Sequence, residues 1–282
     1  MKWDESHESP DVIDRRGEGG GGGGGGGLGW LLWILLRFKY GWVIVLLIVG
    51  FVAAERLMGS GASSTATETS HAIPASDTQA RFVGFVLDDA QKFWADDFAA
   101  HGRTYRHAKL VLFTDRTPTA CGLGSAATGP FYCPNDQRVY IDLGFFRVLE
   151  QKLGAHGDFA RAYVVAHEIG HHIQNLEGAL HQNAAARGAT GASVRTELQA
   201  DCYAGVWAHS ANARGELDPG DIDSALDAAS RIGDDVLERE ETGVVRPESF
   251  THGTAAQRRN WLARGYKTGD ASQCDTFSAN PL

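Results

Sequence analysis

Two histidines four residues apart in an apolar stretch restrict this chain more than any other feature. His167-Glu168-Ile169-Gly170-His171 directly follows Tyr163-Val164-Val165-Ala166. Such a stretch reads as a helix facing a core. Positions i and i+4 differ by about 40° around a helix axis and about 6 Å along it, so both rings aim at one point. Neutral imidazole nitrogens at that point suit zinc, at about 2.0–2.1 Å. Glu168 follows His167 directly and is placed to reach water there without ligating the metal. A catalytic zinc also needs a third protein ligand and an open position.

A second apolar helix offers that ligand. In Glu197-Leu198-Gln199-Ala200-Asp201 the two carboxylates are again i and i+4, with Tyr203, Ala204 and Val206 continuing the apolar face. Carboxylates in such a helix are costly to bury without partners. The pattern assigns Glu197 as third ligand, with Asp201 accepting the free ring N–H of His167 or His171. Exchange of the roles of Glu197 and Asp201 stays open. His172 points elsewhere on the helix and reads as exposed or hydrogen-bonded, not as a ligand.

The surrounding pattern is mostly helical. Arg81–His101 carries an aromatic stripe at helical spacing. Asp158 reads as the N-cap of a helix through Glu177, stopped by Gly178, and Ser193 as the N-cap of a helix through about Ser210. Asp218–Leu237 reads as a third helix and Thr254–Tyr266 as a fourth, capped by Ser249 or Thr251. Leu110–Phe113 and Arg138–Phe146 read as strands. The expected fold class is α+β: a mainly helical domain with a small sheet, preceded by one transmembrane helix.

That last element rests on the N-terminal third. Residues 1–27 are polar, then glycine-rich, with an unbroken run from Gly19 to Gly27, and read as a flexible cytoplasmic leader. Residues 28–58 form a membrane segment with its span at about 40–58, just long enough for a bilayer. A cleaved signal peptide ending near Val52 and Ala54 is the alternative. Arg37 and Lys39 abut the N-terminal side and only Arg56 the other, so the N-terminus is expected in the cytoplasm and the domain in the periplasm or outside the cell. Residues 59–77 read as a linker and 78–282 as the folded domain. Lipid is thus an expected partner through the span.

Lys+Arg is 26 against Asp+Glu 35, a net charge of −9. That acidity argues against nucleic acid as a partner. None of Cys121, Cys133, Cys202 and Cys274 lies in a CxxC pair, so a four-cysteine zinc site is disfavoured. In an extracytoplasmic domain an even count suggests two disulfides. Cys121–Cys133 is the local pairing and leaves Cys202–Cys274; the other pairings remain open.

These residues give the chain a family resemblance. It resembles the neutral zinc metallopeptidases, a bacterial family of single-span membrane proteins. The resemblance runs through Lys2-Trp3, Asp14-Arg15-Arg16-Gly17 and the glycine run, then Gly129-Pro130-Phe131-Tyr132-Cys133-Pro134 and Val139-Tyr140-Ile141-Asp142. It continues through Gly157-Asp158-Phe159-Ala160, HEIGHHIQN, Ser193-Val194-Arg195 with ELQADCYAGVWA, Glu248 to Thr254, and Gln257-Arg258. It implies a zincin-like fold of helices around a small sheet whose edge strand lies beside the zinc. Arg138–Phe146 is the candidate edge strand, and a substrate peptide would add along Tyr140–Leu143.

The expected activity is hydrolysis of a peptide or protein substrate with one Zn2+ ion. Glu168 would act as general base, and His252 is the candidate donor to the oxyanion. Arg258 is a weaker candidate, better read as a salt bridge, and Tyr132 and Tyr140 are candidates to line the cleft. The alternative is a non-catalytic envelope protein with a structural zinc that binds a partner or cell-wall material.

Overall fold

The structure is a computed structural model, and it describes residues 1–18, 70–180 and 186–282. Its centre is a four-stranded sheet in the order β1-β2-β6-β5, comprising β1 (Val12–Asp14), β2 (Lys109–Phe113), β5 (Phe131–Cys133) and β6 (Arg138–Asp142). The first three strands of that order run parallel, and β5 alone is antiparallel to β6. A hairpin of β3 (Arg116–Thr119) and β4 (Gly122–Ser125) stands apart. The Cys121–Cys133 disulfide ties its turn to the end of β5.

Seven helices complete the described architecture: α1 (Thr78–Ala100), α2 (Gly144–Gln151), α3 (Asp158–Leu176), α4 (Ala192–Ala213), α5 (Asp221–Arg231), α6 (Asp234–Thr242) and α7 (Ala255–Thr268). The main core joins α1, α3 and α4 to one face of β2 and β6 through Trp94, Leu110, Leu112, Ile141, Phe159, Val165 and Trp207. The Cys202–Cys274 disulfide fastens the C-terminal tail to α4.

Local signals explain the helix limits. Asp77 caps α1 by accepting from the Ala80 N–H. Thr254 and Gln257 form a capping box on α7, so the cap is neither Ser249 nor Thr251. The stretch expected as one helix over Asp218–Leu237 is two, α5 and α6, broken at Ile232-Gly233. A Cβ on Gly233 would collide with the Ala255 backbone, so the break lets α7 start there.

The expected fold class needs correction. Parallel pairing of β1, β2 and β6 makes the domain mixed α/β, not the expected α+β. Among the described residues no helix is long and apolar enough to cross a membrane, so the expected preceding transmembrane helix has no support. The glycine run, residues 28–58 and most of the expected linker lie outside the described residues. What precedes the domain in the described structure is a strand: β1, read above as part of a tether, pairs with β2. Arg138–Phe146 is likewise not an edge strand. β6 is flanked on both sides, the edges are β1 and β5, and β5 is the edge that reaches the cleft.

Candidate metal and catalytic site

Helix α3 lays Tyr163, Val164, His167, Glu168 and His171 along one wall of a cleft of about 1050 Å³. Facing walls come from Tyr132 on β5, Phe145 and Val148 on α2, Glu197 on α4 and His252 before α7. Helices α3 and α4 approach closely because residue 170 is glycine. A Cβ there would press on the Ala200 backbone.

That approach brings the expected ligands together. The Nε2 atoms of His167 and His171 lie 3.1 and 3.5 Å from the Glu197 carboxylate oxygens. One ligand atom from each of the three residues lies within 4.8 Å of the others, and no second such group of three is found among the described residues. Nδ1 of each ring is engaged elsewhere. The His167 Nδ1 lies 2.8 Å from Asp201 Oδ1, and the His171 Nδ1 lies 2.9 Å from Gln174 Oε1. A proton on each Nδ1 leaves each Nε2 lone pair for a metal.

Gln174 was missed from sequence. Its amide orientation is fixed because Nε2 donates to the Thr196 carbonyl at 2.7 Å and to Gln199 Oε1 at 3.0 Å. Its signal was a buried amide one turn beyond His171, within HEIGHHIQ. Asp201 is fully buried and accepts from the Tyr163 hydroxyl at 2.6 Å and from Arg258 Nε at 2.9 Å. Arg258 Nη2 also donates to the Tyr163 oxygen at 3.1 Å. Arg258 is therefore committed to a buried ion pair.

The carboxylates of Asp201 and Glu197 make the site electronegative, which favours positive charge on or beside the rings. Burial works to lower the His167 pKa, but the Asp201 carboxylate outweighs it and raises the value to about 10. His171 is also raised, with Glu197 overcoming burial. Burial alone would raise Glu197, but the two imidazoles hold it well below the carboxylate range. Glu168 differs: burial dominates and pushes its carboxyl up. Its Oε2 is buried without a hydrogen-bond partner.

His252 stands on the same cleft with a partner that sequence did not reveal. Its Nδ1 lies 3.1 Å from Asp234 Oδ1 and 2.9 Å from the Thr251 hydroxyl. Asp234 Oδ2 accepts the backbone N–H groups of Thr251, His252 and Gly253, which fixes the loop. The Asp234 hydrogen bond raises the His252 pKa.

The remaining candidates separate. Tyr132 lines the cleft, while Tyr140 is core, stacked on Phe131 with its hydroxyl donating to Asp136. His172 is fully buried and is no ligand. Its Nε2 donates to the Arg106 carbonyl at 2.6 Å, and its Nδ1 accepts from the Tyr132 hydroxyl at 2.9 Å.

Comparison with known proteins places the chain in a family. A family model described as "Putative neutral zinc metallopeptidase" matches residues 1–277. The Escherichia coli K12 protein named "Uncharacterized protein YpfJ" is 43% identical over 98% of this chain and 99% of its own length. "Uncharacterized protein Rv2575" of Mycobacterium tuberculosis H37Rv is 48% identical over 63% of this chain and 65% of its own. No solved structure matches.

Proposed function

Because this chain belongs to the neutral zinc metallopeptidase family, we propose that it hydrolyses peptide bonds with one zinc ion held by His167, His171 and Glu197. The supporting observation is the convergence of both Nε2 atoms on the Glu197 carboxylate while both Nδ1 atoms are tied to Asp201 and Gln174. Two imidazoles and one carboxylate are a donor set that fits catalytic zinc. The orphaned Glu168 Oε2 fits as well, since a buried carboxylate oxygen without a partner is costly unless a ligand or solvent meets it.

When bound, zinc supplies a Lewis acid for the scissile carbonyl and lowers the pKa of water toward about 7. Glu168 takes the proton of the attacking water, and its raised pKa suits passing that proton to the leaving amine. His252, whose pKa the Asp234 hydrogen bond raises, donates in its protonated form to the developing oxyanion. Asp201, Gln174 and Tyr163 position the imidazoles. The substrate main chain pairs along the free edge of Phe131–Cys133. Two disulfides support a domain that works in an oxidising compartment outside the cytoplasm.

Glu168→Gln tests the reading. The variant should bind zinc one-to-one yet lose cleavage of a mixed peptide library. Wild-type turnover by that variant, or a zinc-loaded wild-type protein that cleaves no peptide, would refute it.

A further inference from the structure

Met1–Glu18 is not a simple tail on the domain. β1 pairs with β2 in the register Val12–Leu110, Ile13–Val111 and Asp14–Leu112. Trp3 packs edge-on against Phe82, with ring centroids 5.3 Å apart. The nearly buried Arg81 guanidinium of α1 donates to the Ser6 carbonyl at 3.1 Å and to the Glu8 carboxylate at 2.8 Å. Gln91, fully buried on α1, donates to Asp11 at 3.0 Å, and Asp11 also meets Lys109 and His107.

The two ends of the undescribed stretch also meet. The Asp14 N–H donates to the Ser70 hydroxyl at 3.2 Å, and the His71 N–H donates to the Asp14 carbonyl at 2.9 Å. Arg16 bridges Asp14 and Asp77.

We propose that residues 1–18 and the catalytic domain occupy one compartment, on the same face of any membrane the protein meets. Paired strands lie about 4.8 Å apart, whereas a hydrocarbon core is about 30 Å thick. The arrangement expected from flanking charges, with N-terminus inside and domain outside, would strip β2 of its β1 partner. It would also leave Arg81 and Gln91 without the acceptors that Glu8, Ser6 and Asp11 supply, and unmet buried donors are costly. This inference does not depend on the peptidase reading.

Single-cysteine labelling in the full-length chain decides it. All four native cysteines are in disulfides, so an introduced thiol is the only free one among the described residues. Glu5→Cys and Lys92→Cys place it at exposed positions on the leader and on α1. A membrane-impermeant maleimide applied to intact cells, then to permeabilised cells, should give the same pattern at both positions. Labelling of one position in intact cells and of the other only after permeabilisation overturns the proposal.

A second variant reports docking directly. A Cβ on Gly84 would sit 3.1 Å from the Ser9 Cβ, so a shift of a few tenths of an ångström brings Ser9→Cys with Gly84→Cys to the separation of about 3.5–4.5 Å at which a disulfide forms. Mild oxidation of the full-length protein in isolated membranes should join the two thiols within one chain. Persistence of both as free thiols overturns the proposal.

Discussion

Gly170 of α3 rests against Ala200 of α4 so closely that a Cβ built on it would meet the Ala200 Cα and carbonyl oxygen at 2.9 Å. Glu197 lies one turn before Ala200, so this contact sets how near the third ligand comes to the two imidazoles. Gly170→Ala gains about 1 kcal/mol in helix propensity. Overpacking costs about 1–3 kcal/mol, and here the obstruction is backbone that cannot rotate away. The variant should show a lower Tm and weaker zinc binding by calorimetry. A raised Tm with unchanged zinc affinity would mean that Gly170 does not set the helix separation.

Gln174 and Asp201 each orient one imidazole, but their loss should differ in kind. Gln174→Ala removes the acceptor at His171 Nδ1, and losses of this sort weaken metal binding by about 10–100-fold. Asp201→Ala also leaves the buried Arg258 guanidinium unpaired. Removing one partner of a buried ion pair costs about 3–5 kcal/mol. Chelator competition should therefore detect both variants, while denaturant unfolding should show the larger deficit for Asp201→Ala. Equal unfolding free energies for the two would argue against this division.

The Asp234–His252 pair predicts a pH dependence with a definite sign. Asp234 raises the His252 pKa, so the protonated donor persists to higher pH than an ordinary histidine would allow. Any stability from the pair is fully present below the unfolded histidine value of about 6.5 and is lost as pH rises through the raised folded value. Activity that uses the protonated ring follows the same limb. Asp234→Asn should move the alkaline limb of kcat/KM toward lower pH, and His252→Ala should lower kcat more than it raises KM. An alkaline limb unmoved by Asp234→Asn would remove His252 from the proton inventory.

Helical spacing made much of the site legible, because i and i+4 fix which side chains share a face. His167 with His171 and Glu197 with Asp201 needed only that rule. The choice of Asp201's partner needed the packing angle of α3 on α4, which no local pattern encodes, and the structure selects His167. Asp234 lies 18 residues before His252, and only the break at Ile232-Gly233 brings it beneath the loop. The edge strand is expected only from the resemblance, and Phe131–Cys133, which takes that place, is too short to show a period of its own. The leader was misread for a different reason. Glycine and charge look like a tether, but Trp3, Asp11 and Asp14 act through partners more than 60 residues away in sequence.

Asp11 makes that last contact measurable. Burial alone would raise its pKa, but hydrogen bonds from Lys109 and His107 outweigh burial and lower it. A lowered carboxylate contributes stability above its unfolded value of about 3.9, and loses it as pH falls through the folded value. Docking of the first eighteen residues should therefore weaken below about pH 4, reported by the fluorescence of Trp3 as it leaves Phe82. Asp11→Asn keeps an acceptor for the buried Gln91 amide and removes the titrating charge. It should flatten this part of the acid response, because the stability that the ionised carboxylate draws from Lys109 and His107 is then missing near neutrality as well. Asp11→Ala leaves Gln91 unsatisfied at every pH, a cost of about 1–3 kcal/mol, and should lower the unfolding free energy throughout. Identical acid profiles for the wild type and both variants would show that Asp11 does not hold the leader on the domain.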